Sequence, residues 1–403
     1  MTGSTWQAGL STLAVLTAAC SGGTGAVGSA PVVIDSAGVT IVEYATWAPE
    51  PLPWSVGVEP LLAIGLLEGD EPYQFSQIGG VARLSDGRIV VANGGTQELR
   101  YFDPTGRHVR SVGRKGDGPG EFQSIGTLVV LPGDSVAAYD WNLQRVSFFD
   151  PAGTFVRSVP FQHSAGVAFP VGRFTDGTWL LQPGFAFAPG ESGATVVRDT
   201  SRLLVFGADG RLRDSAGRWI GPEFYVRSEG THASASSLPF GRVTEVVVFG
   251  ERYFEGYTER YEIARRTPSG VAELLIRARR AAVPVTEATV AAHKAEHLRD
   301  VEASFRPEIE RLYRDIPFPN TMPAFDDLQV DPDGNLWVRE ASSPGADRRI
   351  WAVFDTAGRM MGSIETPPAV GIRQIGRGYL LGTWTDDLDV EYVRMYRLDR
   401  GRT

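Results

Sequence analysis

One pattern constrains this chain more than any other: a unit of four short strands recurs along it, and a fixed repeat decides architecture before single elements do. From Val81 the sequence runs VARLSDGRIVVAN and then ELRYFDPTGRHVRSVG; from Thr127 it runs TLVVLPGDSVAAYD and then QRVSFFDPAGTFVRSV. In the first unit Asp86-Gly87 makes the first turn, Asn93 to Glu98 the second and Asp103 to Gly106 the third, with alternating apolar residues between them. Looser copies carry Asp176-Gly177 with Gly207 to Gly210, Gly250-Glu251 with Thr267 to Gly270, Asp333-Gly334 with Asp355 to Gly358, and Gly376 to Gly378 with Asp399 to Gly401. Phe102, Phe149, Phe206, Arg266, Phe354 and Tyr396 occupy the equivalent position before the third turn, at spacings of 47, 57, 60, 88 and 42 residues. These six units predict an all-β fold, a six-bladed β-propeller whose longer spacings hold insertions.

Closure is predicted too. The last unit stops at Thr403, just after its third turn, and so lacks a fourth strand. Leu61 to Gly65, followed by Gly69-Asp70 and Phe75, parallels Val109 to Gly113, followed by Gly116-Asp117 and Phe122. An N-terminal strand there would complete the last blade and leave no open edge. The earlier stretch Val32 to Ile41 also copies a third turn, and either adds a hairpin or competes for the closing role.

A helical insertion at about 284–318 separates units four and five. Thr286 can cap a helix whose apolar residues Val290, Leu298, Val301 and Phe305 define the expected buried stripe. That stripe puts His297 at its flank and His293 toward solvent. Pro307 suits the first turn of a second helix carrying Ile309, Leu312 and Ile316 on one side, and Pro317 and Pro319 end it.

Asp140-Trp141-Asn142 with Arg145-Val146, Phe149-Asp150 and Gly153, and the loop from Gly113 to Phe122, resemble the NHL repeat of six-bladed propellers. The chain as a whole is similar to bacterial propeller lipoproteins of that type. Its first 19 residues carry an apolar run ending in Ala18-Ala19-Cys20, which resembles a lipoprotein signal peptide with Cys20 as the lipidated residue. Cys20 is the only cysteine, so no disulfide staples the fold and the one thiol lies where lipid would attach. Residues 20–30, rich in glycine and serine, read as a tether, leaving 31–403 for the propeller. The resemblance implies a cell-envelope protein, anchored to the membrane by lipid, with the outer membrane favoured by Ser21.

Counting seven residues on from each first turn selects Asn93, Asp140, Pro183, Tyr257 and Glu340, with Trp384 nearest in the last unit. Corresponding loops of a propeller converge near its axis, so Asn93, Asp140, Tyr257, Glu340 and Trp384 are the candidate ligand-binding set. Lactonase-like propellers hold calcium with such acids and amides. That likeness makes calcium the cofactor to consider, with Asp140, Asn93 and Glu340 as ligands; alternatively Asp140 ties down its own turn. Zinc is disfavoured. His293-Lys294-Ala295-Glu296-His297 matches the H-x-x-E-H pattern, yet sits on a charged helical face. Asp331 to Asn335 opens like a calcium loop, but its twelfth position is Ser342 and the same turn recurs elsewhere, so it reads as a hairpin. Asp386, Asp387 and Asp389 read as a solvated loop.

A net charge of −9 argues against a nucleic-acid partner. Only five histidines exist, and His163 and His232 alone remain as general-base candidates outside the insertion and the outer strands. The function expected is therefore a monomeric, lipid-anchored module that binds an envelope protein, a glycan or a small ligand without catalysis. The alternative is a calcium-dependent hydrolase or lyase working at the mouth of the channel.

Overall fold

The computed structural model describes residues 30–161, 166–184, 193–229, 232–299 and 301–401. The segment read as a signal peptide, Cys20 and, but for Ala30, the segment read as a tether lie outside the described residues, as does His163. Six antiparallel sheets follow one another along the chain, and the first strands of successive sheets touch in a closed ring. The fold is a six-bladed β-propeller.

Blade one spans Ile78–Val112, blade two Ile125–Pro160, blade three Ala168–Ser237, blade four Thr244–Ala278, blade five Asp327–Thr366 and blade six Gly371–Asp399. Each predicted turn is where the sequence put it. Gly87, Gly177 and Gly334, the glycines of the first turns in blades one, three and five, hold φ near +90°, a conformation other residues rarely adopt. The aromatic before the third turn goes to the core: Phe102, Phe149, Phe206 and Phe354 are at most 1 % exposed.

Ser55–Ile64 pairs antiparallel with Glu391–Asp399 as the outermost strand of blade six, and this strand closes the ring. Phe75 and Phe122 are buried between blades six and one and between blades one and two, as their matching positions imply. The earlier stretch is a separate hairpin. Val32–Ser36 and Val39–Tyr44 turn through Ala37 and Gly38, both at positive φ, and the second strand adds in parallel to Ala272–Ala278 of blade four. Tyr44 locks the hairpin to the next blade by donating to the Gly358 carbonyl at 3.3 Å.

Two additions rise from the same end of the ring. In blade three Gly193–Phe206 and Leu212–Glu229 run on past the sheet and take up a fifth strand, His232–Ser237. Helices α1 (Glu287–Arg299) and α2 (Arg306–Asp315) form the insertion between blades four and five. Thr286 caps α1, its Oγ1 accepting from the Thr289 amide at 3.1 Å, and Pro307 lies in the first turn of α2. Ile309, Leu312, Tyr313 and Ile316 pack against Tyr225 of the extended strand.

The expected α1 stripe needs correction. The helix ends at Arg299, so Phe305 escapes its period, sits just before α2 and is 59 % exposed. The face turned to α2 carries the histidines instead: His297 Nδ1 lies 2.6 Å from the Tyr313 hydroxyl, and His293 packs on Phe240 at 5.0 Å. Among the described residues no helix is long and apolar enough to cross a membrane.

Candidate functional site

Repetition puts the ends of all six second strands at one end of the propeller, together with the starts of the innermost strands. Asn93, Asp140, Tyr257, Glu340 and Trp384 therefore share that end. Three of them are committed to holding loops. Asn93 accepts from the Ser76 amide at 2.9 Å and donates to Thr96 at 2.8 Å. Asp140, 0 % exposed, accepts four backbone amides, from Gln123, Ser124, Asn142 and Leu143. Glu340 takes Trp47 Nε1 at 2.9 Å on one oxygen and the Arg280 guanidinium at 2.7 Å on the other. Tyr257 is hydrogen-bonded and stacked with Arg198 of the extended hairpin, and Trp384 lies beneath the Arg394 guanidinium, 3.3 Å from its ring centre.

Closer to the axis is a group that counting from the turns misses. Near the start of the innermost strand stand Gly79 in blade one, Gly126 in blade two and Gly371 in blade six. Inner strands crowd there: a Cβ on Gly79 would come within 2.8 Å of the Gly126 backbone. In blades four and five the same position holds Glu245 and Asp327, and Asp326 precedes the latter. Carboxylates where glycine is the fitting residue are the sequence signal that would have found this group.

Arg339, at the end of the second strand of blade five, bridges the aspartates, with Nε 2.5 Å from Asp326 and a terminal nitrogen 3.4 Å from Asp327. Burial raises the pKa of both aspartates against the pull of Arg339. Burial, reinforced by the charges of Asp327 and Asp326, pushes Glu245 up to about 8. The Glu245 side chain forms no hydrogen bond or ion pair among the described residues. It stands beside two carboxylates and one guanidinium, and its raised pKa favours the protonated, donating form. Trp141, exposed and 5.8 Å from Phe169 on the innermost strand of blade three, adds aromatic surface to the same end.

Calcium asks for six to eight oxygen ligands. Here Arg339 lies between the two aspartates, and among the described residues no three of His, Cys, Asp and Glu are grouped to hold a metal. The axial group does not fit the ion. Asp331, in the calcium-like loop, instead accepts from the Asp333 and Asn335 amides and pairs with Arg400 at 2.9 Å. The Asp386 loop closes on itself, accepting from Leu388, Val390 and Tyr392.

Among curated proteins none matches the chain. Solved structures with similar folds include a DUF4221 family member from Bacteroides vulgatus, 10% identical over 86% of this chain and 99% of its own, with a TM-score of 0.49. A Bacteroides fragilis protein whose name marks it as expected to be exported is 11% identical over 90% and 99%, with a TM-score of 0.48. Virginiamycin B lyase of Staphylococcus aureus is 10% identical over 86% and 99%, with a TM-score of 0.41. Likeness at this level transfers no chemistry. The profile of one family, DUF5128, described as a 6-bladed beta-propeller, matches residues 66–166, the stretch that contains blades one and two.

Proposed function

We propose that the chain is a binding module of the cell envelope, tethered to the membrane through a lipid on Cys20, that receives a hydroxyl-rich ligand such as a glycan at the Glu245 end. The observation that carries this reading is the axial group. Asp326 and Asp327 accept hydrogen bonds, Arg339 and protonated Glu245 donate them, and hydroxyl groups need both kinds of partner at once. Trp141, Tyr257 and Trp384 around the same end supply faces on which a sugar ring can stack. The raised hairpin of blade three and the two helices build up the rim beside them.

Titration calorimetry of the purified chain against envelope oligosaccharides tests the reading. Binding that Asp327→Asn weakens about tenfold or more is expected. A panel without a binder, or binding indifferent to Asp327→Asn, would sink it. Fatty-acid labelling that survives Cys20→Ala would remove the anchor. A catalytic reading has one feature in its favour, the raised pKa of Glu245, which suits a general acid. Turnover of a bound glycan, lost in Glu245→Gln while binding persists, would put that reading first.

A further inference from the structure

Blade six carries an apolar patch that the rest of the chain leaves open. Two loops form it, at the same end of the ring as Glu245. Residues 65–74 lead from the closing strand to blade one, and residues 386–390 join Tyr379–Thr385 to Glu391–Asp399 within blade six. Tyr392 ties the loops together. Its hydroxyl donates to Asp386 at 3.0 Å, and its ring lies 2.6 Å from the position a side chain on Gly65 would take, so glycine is what lets the first loop come this close. Beside this junction Leu66, Leu67 and Leu388 are 44 %, 55 % and 69 % exposed. Single apolar residues on a surface are ordinary, but three large ones on adjoining loops make a patch of the kind that partners cover.

The charges around the leucines say what kind of partner fits. Glu68, Asp70 and Glu71 in the first loop and Asp387 and Asp389 in the second are exposed, and their side chains form no ion pair or hydrogen bond among the described residues. Neither loop contains a lysine, arginine or histidine. The guanidiniums close by are engaged elsewhere: Arg100 donates to the Glu71 and Gln74 carbonyls, and Arg394 lies on Trp384. Carboxylates gathered without a countercharge repel one another, and a cation that reaches them relieves the repulsion. A second copy of the chain is disfavoured, because a two-fold contact would set the same carboxylates face to face. An anionic bilayer is repelled for the same reason, and an uncharged glycan would leave the leucines uncovered.

We propose that this patch docks a basic amphipathic segment of a partner protein, its lysines or arginines on the carboxylates and its apolar side chains on Leu66, Leu67 and Leu388. Exposed ion pairs are individually weak, so the leucines supply most of the affinity and the carboxylates select for charge.

Fluorescence anisotropy of the full chain with short labelled peptides tests this. A peptide of lysine and leucine in amphipathic order should bind at least about tenfold more tightly than one with serine in place of leucine or glutamate in place of lysine. Leu388→Ser should weaken it about threefold or more. Asp387→Asn with Asp389→Asn should do the same and make binding less sensitive to salt. These are exposed loop positions, and asparagine tolerates the positive φ of residue 389, so both variants keep the fold. Glu308→Gln with Glu310→Gln removes the same charge from an exposed part of α2 and should leave binding unchanged. Equal binding of the serine peptide, an equal loss in the α2 variant, affinity unchanged in both patch variants, or no binding at about 1 mM would overturn the assignment. Asp327→Asn should leave peptide binding as it is, which separates this patch from the axial site.

Discussion

Asp140 and Glu245 are two acids at one end of the same ring, and their surroundings are opposite. Asp140, in blade two, has four backbone amides on its oxygens and connects two loops. Glu245, in blade four, has no such partner and faces two further carboxylates. A buried polar group that is fully bonded stabilises the fold and has nothing left to offer a ligand. Glu245 is only partly buried, so its unbonded carboxyl keeps its capacity for a ligand. Being an acid near the axis is therefore not what distinguishes a site; having unmet hydrogen-bonding capacity is.

The comparison would break most visibly at Asp140. Asp140→Ala leaves four amides unbonded and should cost about 3 kcal/mol in denaturant unfolding; a loss under about 1 kcal/mol would return Asp140 to the candidate ligand groups. Arg339→Ala should come next. It leaves Asp326 and Asp327 without their shared cation and should cost about 2 kcal/mol at pH 7, measured the same way. Were it neutral, the axial carboxylates would be better hydrated than their raised pKa values imply.

Glu245→Gln should act in the other direction. The folded-state pKa of Glu245 is raised from an ordinary 4.5 to about 8, so its protonated form favours folding at low pH. That contribution is complete below about pH 4.5 and is lost as pH climbs to about 8. Glutamine does not titrate, so the variant should match the wild type in acid and exceed it by about 1 kcal/mol above pH 8, a figure discounted for partial hydration. Parallel pH–stability curves for the two proteins would break the comparison at Glu245. The smallest effect belongs to the insertion, where polar groups satisfy one another near the surface. His297→Ala removes the contact with Tyr313 and should cost roughly 0.5 kcal/mol, visible as a small fall in melting temperature.

The legible parts of the fold were those whose chemistry repeats. Asp-Gly at a first turn and phenylalanine before a third turn answer local demands that recur in each blade, so copies identify one another. Closure by Ser55–Ile64 was legible because its outgoing loop, ending in Phe75, copies the loop ending in Phe122. The hairpin of Val32–Tyr44 was not placed, because its pairing with Ala272–Ala278 joins distant segments through backbone bonds that any side chain permits. The histidine face of α1 was misread because its apolar period was carried beyond Arg299, where the helix stops. For the site, turns led to Asn93, Asp140 and Glu340, residues that serve those turns and the segments around them. Glu245 and Asp327 were readable only by asking which innermost positions depart from glycine.

Ring closure by Ser55–Ile64 sets an order of events during synthesis. A ribosome makes this strand before any blade, and its partner, Glu391–Asp399, only after the other five blades. At usual elongation rates the interval is on the order of tens of seconds. Through that time Ile64, which ends 2 % exposed, has no blade to enter, while the intervening blades are already available to fold. A rearranged gene that moves this strand behind Asp399 would abolish the wait, and the finished ring would retain the same contacts.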